Sequence, residues 1–184
     1  MNVKRGATTI VLLTALLAGC SGLPGGDDEP DGGKGGSAAV AAGKPAVDSD
    51  KDAIVKAAFP SGLAPGAKVD IAIMSLKVRG KLATLSVQLT PHVPQGVSQK
   101  PSPYELNGNN GLGVSLIDPV NLKRYIVVRD SSGKELQSDD VFTHIATGQP
   151  GLLTYTFAAP PENVKALDLH YGSWPTFRNI PVKR

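Results

Sequence analysis

An all-β domain, either a sandwich or a barrel, carried behind a disordered N-terminal tether is the architecture this sequence predicts. Three observations carry that prediction. Apolar residues recur with period two in several runs, as in Val69, Ile71 and Ile73, or Leu85, Val87 and Leu89. Clusters of Gly, Pro, Asn and Asp separate these runs, and almost nothing has a helical period. Between Ser21 and Asp52 the chain is rich in Gly, Ala, Pro and Asp and has no aromatic residue. Period-two runs mark half-buried strands, and many short strands between turn signals close as a sandwich or barrel. A stretch so poor in apolar surface cannot offset its own ordering entropy.

Residues 1–19 have the three parts of an export signal. Lys4 and Arg5 make a positive start, an apolar run extends from Ile10 to Leu17, and small residues Ala18 and Gly19 lead into Cys20. The apolar run is far shorter than the roughly 20 residues that span a bilayer. Leu17-Ala18-Gly19-Cys20 resembles the lipobox of bacterial lipoproteins. That resemblance implies a diacylglyceryl thioether on the Cys20 thiol and cleavage before it. Cys20 is the only cysteine, so no disulfide is available, and lipidation accounts for an otherwise unpaired thiol. Two acyl chains are the usual requirement for stable anchoring. The expected location is the extracytoplasmic face of the cell membrane, with diacylglycerol on Cys20 as the one covalent group and no other cofactor.

Residues 20–52 form the lipidated cysteine and its linker, and residues 53–184 the domain. A calcium site built from Asp27, Asp28, Glu29 and Asp31 is the sharp alternative for the acidic part of the linker, but the spacing does not match an EF-hand loop. Asp50 to Phe59 reads as a short helix or turn. Val69 to Val78 and Leu85 to Leu89 read as two strands joined by a hairpin at Arg79-Gly80-Lys81, with Pro91 and Pro94 ending the second. Val93 to about Leu112 reads as a long loop, marked by Pro101, Pro103 and the Asn107–Gly111 run. Further strands are expected at Val114–Leu116, Tyr125–Val128, Leu152–Phe157 and Val164–Tyr171, with Ile180-Pro181-Val182 closing an edge.

Several of these segments resemble a family of mostly uncharacterised, actinobacterial-type envelope lipoproteins. The segments are Val114-Ser115-Leu116-Ile117-Asp118-Pro119, Lys123-Arg124-Tyr125, Asp130 to Gly133, Tyr155 to Pro161 and Phe177 to Val182. The resemblance implies an immunoglobulin-like, also called telokin-like, antiparallel β-sandwich. It supplies no catalytic residues, because its motifs are strand-and-turn signatures. Some relatives carry cysteines near the position of Leu136, and this chain has none.

The chemistry-bearing residues are sparse. His92, His144 and His170 share no zinc-ligand spacing, and the domain has no thiol to help them. Ser138, His144 and Asp139 can be assembled on paper into a triad, yet no serine sits in a nucleophile elbow. Asp139-Asp140 fits a solvated turn better than a catalytic carboxylate pair. No catalytic or metal site is therefore expected.

Charge is more informative. The linker from Ser21 to Asp52 has seven acidic and three basic residues, net −4, whereas the domain from Ala53 has 14 basic and nine acidic, net +5. Lys77, Arg79 and Lys81 share a parity and predict a basic ridge at the first hairpin, able to meet anionic lipid or an acidic wall polymer. The same charges also suit an edge protected against strand addition. Tyr171, Trp174 and Phe177 gather within one stretch broken by Gly172, Ser173 and Pro175. They form either a recognition surface or a plug in the end of the core. An extracytoplasmic location argues against nucleic acid. The expected function is a non-catalytic binding or protein-interaction module of the cell envelope, whose partner is an envelope protein or an anionic polymer. The alternative is a structural accessory subunit of a membrane complex, and an enzyme of unrecognised type ranks below both.

Overall fold

Period-two alternation becomes strand almost wherever it occurs. In the computed structural model residues 52–184 are described, and the signal, Cys20, the linker and the acidic cluster at residues 27–31 lie outside them. Eight strands and one helical turn follow in order. They are β1 (Val55–Pro60), β2 (Lys68–Arg79), β3 (Leu82–His92), α1 (Pro103–Leu106), β4 (Ser115–Asp118), β5 (Lys123–Ile126), β6 (Gly151–Ala158), β7 (Ala166–His170) and β8 (Phe177–Pro181). All paired strands are antiparallel. One sheet has the order β1-β2-β3-β6 and the other β5-β4-β7-β8, which makes the domain an all-β sandwich. The order sets β2 beside β3, where the seven-strand immunoglobulin domain sets its second strand beside its fifth; sandwiches share this architecture without always sharing the order.

The inner faces make one core. Val69, Ile71, Ile73, Leu85, Val87 and Leu89 from the first sheet meet Leu116, Leu167, Leu169 and Ile180 from the second, all at or near complete burial. Burying each such side chain contributes about 1.5–3 kcal/mol. A bulge lies between Ile73 and Ser75, so that Met74 has no partner on β3. The extra residue shifts the inward parity of β2 from odd to even numbers, and Leu76 is buried in place of Ser75.

Two corners join the sheets. Leaving β5, the chain bridges Val127 to Phe157 and donates from Val128 N–H to Thr156 O (2.9 Å), thereby crossing to the free edge of β6. Leaving β8, it crosses to β2, where Lys183 N–H donates to Leu76 O (2.8 Å) and Lys183 O accepts from Val78 N–H (2.7 Å). Strands that switch sheets in this way make the corners of closed sandwiches.

Three expectations are corrected. Asp50–Phe59 is not a helix or turn beyond Asp52: from Val55 it is strand β1, registered from Val55↔Ile73 to Pro60↔Lys68. Phe59 and Ala57 turn toward the core there, and ladder pairing with β2 outweighs the weak strand preference of Ala57 and Ala58. Strand β3 runs through Pro91 to His92. Gly148 N–H donates to Pro91 O, so the ring nitrogen faces the side on which β6 has already ended, and no ladder bond is lost. The long loop holds one helical turn, α1. Ser102 Oγ accepts from Glu105 N–H (3.2 Å) and Glu105 Oε2 accepts from Ser102 N–H (2.7 Å), a capping box with Pro103 in the first turn.

Candidate functional site

The bulge at Met74 decides where the basic hairpin points. With the parity shifted, Lys77 and Arg79 stand outward on β2, opposite Thr84 and Leu82. Gly80 and Lys81 form the two-residue turn, and Gly80 takes φ +57, the first-position positive φ that such hairpins need. Lys77, Arg79 and Lys81 are all exposed, and none forms an ion pair among the described residues. Lys77, Arg79, Ser75, Thr84 and Ser86 line a shallow groove of about 220 Å³. The corner from β8 places Lys183 beside Lys77, and both share a second groove with Asp52. The structure thus brings the three predicted cations together and adds a fourth.

The same end of the sandwich carries two more features. Ala159 N–H donates to Lys81 O (2.9 Å), which seats the β6–β7 loop against the basic turn. The far part of that loop, Asn163 to Lys165, forms a groove of about 320 Å³ with the β4–β5 turn, Asp118 to Asn121. Asp118 shapes this turn: its carboxylate accepts from Val120 N–H (3.1 Å), Asn121 N–H (3.0 Å) and the Asn121 side-chain amide (2.7 Å). Those bonds, the Asn121 side chain first, hold its carboxyl below the usual carboxylate range against the opposing effect of burial. The turn then pushes Val120 and Leu122 into solvent at 86% and 89% exposure. Lys123 and Lys165 are exposed beside it. One end therefore combines two hairpin tips, a set of cations and two protruding aliphatic side chains.

The aromatic stretch is a plug and not a recognition surface. Tyr171 is fully buried, and Trp174 and Phe177 are each only 6% exposed. Tyr171 Oη bonds to Tyr155 Oη at 2.9 Å, and the two rings meet edge to face at 5.7 Å. Trp174 stacks on Tyr171, and Phe177 meets Phe59 edge to face. Trp174 Nε1–H donates to Pro60 O (3.1 Å), so even its polar edge is used internally. Asn107 locks the segment from below: Oδ1 accepts from Ser173 N–H and Oγ–H, and Nδ2 donates to Asn110 O and Gly111 O. Burial raises both tyrosine pKa values, and the neighbouring phenol raises that of Tyr171 further.

Ser138, His144 and Asp139 do not meet as a triad. Ser138 Oγ accepts from Thr154 N–H, Asp139 Oδ1 accepts from Val141 and Phe142 N–H, and His144 Nδ1 lies 3.1 Å from Lys100 O. His92 pairs with Asp70 at 3.3 Å. Among the described residues no group of three His, Cys, Asp or Glu side chains is placed to hold a metal, and no helix is long and apolar enough to cross a membrane. Sequence reasoning missed Lys183, Lys123, Lys165, Val120 and Leu122 as parts of one surface. The signal that would have found the last two is a pair of aliphatic residues set within a turn, Asp118-Pro119-Val120-Asn121-Leu122.

No family model, curated protein or solved structure matches the chain.

Proposed function

We propose that this chain is a lipoprotein of the cell envelope, anchored through lipid on Cys20, whose sandwich acts as a non-catalytic binding module. The kinship with immunoglobulin-like, telokin-like domains of actinobacterial-type lipoproteins belongs to the same proposal. The observation that carries the reading is the basic end, where Lys77, Arg79, Lys81 and Lys183 are exposed and free of ion pairs among the described residues. Cations that stabilise nothing inside the domain remain available to an anionic partner. The partner class is an anionic polymer or an acidic protein surface of the envelope.

The test is binding of the mature chain to an anionic polymer, with polyphosphate as the probe, across a salt series. Each cation near an anionic surface contributes about 1 kcal/mol and the attraction decays within a Debye length. Changing Lys77, Arg79 and Lys81 to Ser should therefore weaken binding by about 3 kcal/mol at low salt. The melting temperature should hardly move, because exposed substitutions of this kind shift stability by under about 0.5 kcal/mol. Equal binding by variant and parent would return the hairpin to the role of a charged, protected edge.

A further inference from the structure

The β4–β5 turn is built at a cost that the domain's own stability does not explain. Leu122 takes φ +53 while 89% of its surface meets water. The left-handed region is strained for a bulky side chain and natural for Asn or Gly, and among the described residues the other non-glycine residues with positive φ are Asn109 and Asn179. An exposed leucine in that conformation is strained and contributes no packing in return. Val120, at 86% exposure, projects from the same turn. A polar residue at either position would serve the fold as well or better. Strain held in an exposed apolar tip points to something that covers the tip.

The surroundings identify the covering chemistry. Lys123 follows the tip directly, Lys165 shares its groove, and the loop that carries Lys165 bonds to the Lys81 turn. Asp118 and Asp168 also line that groove, but Asp118 is engaged within its own turn and Asp168 accepts from Asn179 N–H. Apolar side chains flanked by exposed lysines suit the interface of an anionic bilayer, where aliphatic groups enter the acyl boundary and cations meet headgroups. The direction of the chain agrees. Strand β2 runs toward this end, and β1 is antiparallel to it, so the polypeptide arrives at β1 from the basic end. Asp52, the first described residue, lies in the groove of Lys77 and Lys183. The described chain therefore enters the domain at the end that carries the cations.

We infer that the basic end is a membrane-docking face, on which Val120 and Leu122 enter the interface of an anionic bilayer while Lys81, Lys123 and Lys165 contact headgroups. This deepens the reading of the basic end as an anion-binding surface and rests on it. The occupant is the lipid surface; a soluble polymer would gain nothing from the two aliphatic side chains.

The experiment uses the mature chain with Cys20→Ser, so that the acyl chains do not mask the contact. Sedimentation with vesicles of phosphatidylglycerol and phosphatidylcholine at low salt, against pure phosphatidylcholine, gives affinities for three proteins: the parent, Val120→Ser with Leu122→Asn, and Lys77, Arg79 and Lys81 all to Ser. The tip variant should lose about tenfold or more in affinity for the anionic vesicles, the expected effect of withdrawing two aliphatic side chains from lipid. It should keep the parent's affinity for polyphosphate, and its melting temperature should hold or rise, because Asn relieves the strain at position 122. A fluorophore on Val120→Cys should shift to the blue on vesicle binding and be quenched by nitroxide-labelled lipid. Parent-like vesicle binding by the tip variant, no vesicle binding by the parent, or an unshifted fluorophore would overturn the inference. Loss of polyphosphate binding in the hairpin variant alongside any of these would leave the anion-binding reading standing. Retained polyphosphate binding in that variant would sink both.

Discussion

Tyr155 and Tyr171 share a buried hydroxyl–hydroxyl contact inside the plug, and removing half of it should cost more than removing all of it. Each hydroxyl is buried, and each is the other's partner at 2.9 Å. Tyr171→Phe keeps the ring, its edge-to-face contact with Tyr155 and its stack on Trp174, and deletes only the oxygen. The Tyr155 hydroxyl is then left buried without a partner, which costs about 1–3 kcal/mol. Tyr155→Phe strands Tyr171 in the same way. The double Phe variant strands nothing, and replacing both partners by apolar groups of the same shape is close to neutral. A double-mutant cycle should therefore show coupling close to the sum of the two single costs, about 2–6 kcal/mol. Urea unfolding followed by the fluorescence of Trp174, the only tryptophan, reads the contact directly. Burial also raises both phenol pKa values in the folded state above the ordinary value of about 10. The unfolded chain then releases these protons first, so the stability they contribute is complete below about pH 10 and is lost as pH rises toward the folded values. The double Phe variant should lack that part of the alkaline decline. Strictly additive single effects, or singles below about 0.5 kcal/mol, would refute the reasoning.

Gly172 takes φ +59, and a Cβ there would lie 2.8 Å from Asn107 Oδ1 and 2.9 Å from the Trp174 ring, so Gly172→Ala should destabilise by about 2 kcal/mol or more in the same urea assay. Deleting Met74 removes the bulge but leaves Ser75 and Leu76 on Ser86 and Leu85 in regular alternation, so Leu76 should stay inward and cooperative unfolding should persist; loss of cooperativity would contradict this register, and Met74→Ala at this half-buried position should cost under about 1 kcal/mol. Cys20→Ala should abolish lipid labelling and leave the protein in the soluble fraction or still carrying residues 1–19; membrane pelleting at the parent level with those residues removed would defeat the anchor argument.

How far the sequence could be read varied with the kind of signal. Strands β2, β3, β6 and β7 were legible because one of their faces is buried, and burial writes itself as alternation. The bulge was legible too, had it been sought: the apolar parity passes from Ile73 to Leu76, an odd interval that a regular strand cannot produce. Strand β1 was not, because Val55-Lys56-Ala57-Ala58-Phe59-Pro60 carries two alanines and acquires its strand character from pairing with β2. The aromatic stretch left two readings open, since Tyr, Trp and Phe serve cores and recognition surfaces alike. What decided it is the Asn107 lock, formed between residues 66 apart. The basic hairpin was visible as parity, but the company it keeps was not. Lys183 and the β4–β5 tip reach that end through corners and register, which no local pattern records.

The edge of β2 is covered by both ends of the described chain. Ile54 N–H donates to Ile73 O, and Lys183 N–H donates to Leu76 O, so the first and last strand-like segments dock on residues three apart. At about 3.3 Å per residue those sites lie about 10 Å from each other. The order in which the strands are threaded is therefore almost a loop already. A short bridge from Arg184 to Asp52 would close it, and a new opening at the exposed Ser131-Ser132-Gly133 turn would leave every ladder intact. Such a rearranged chain would carry the same sandwich while moving its attachment point away from the basic end, separating the face a domain presents from the place where it is tied.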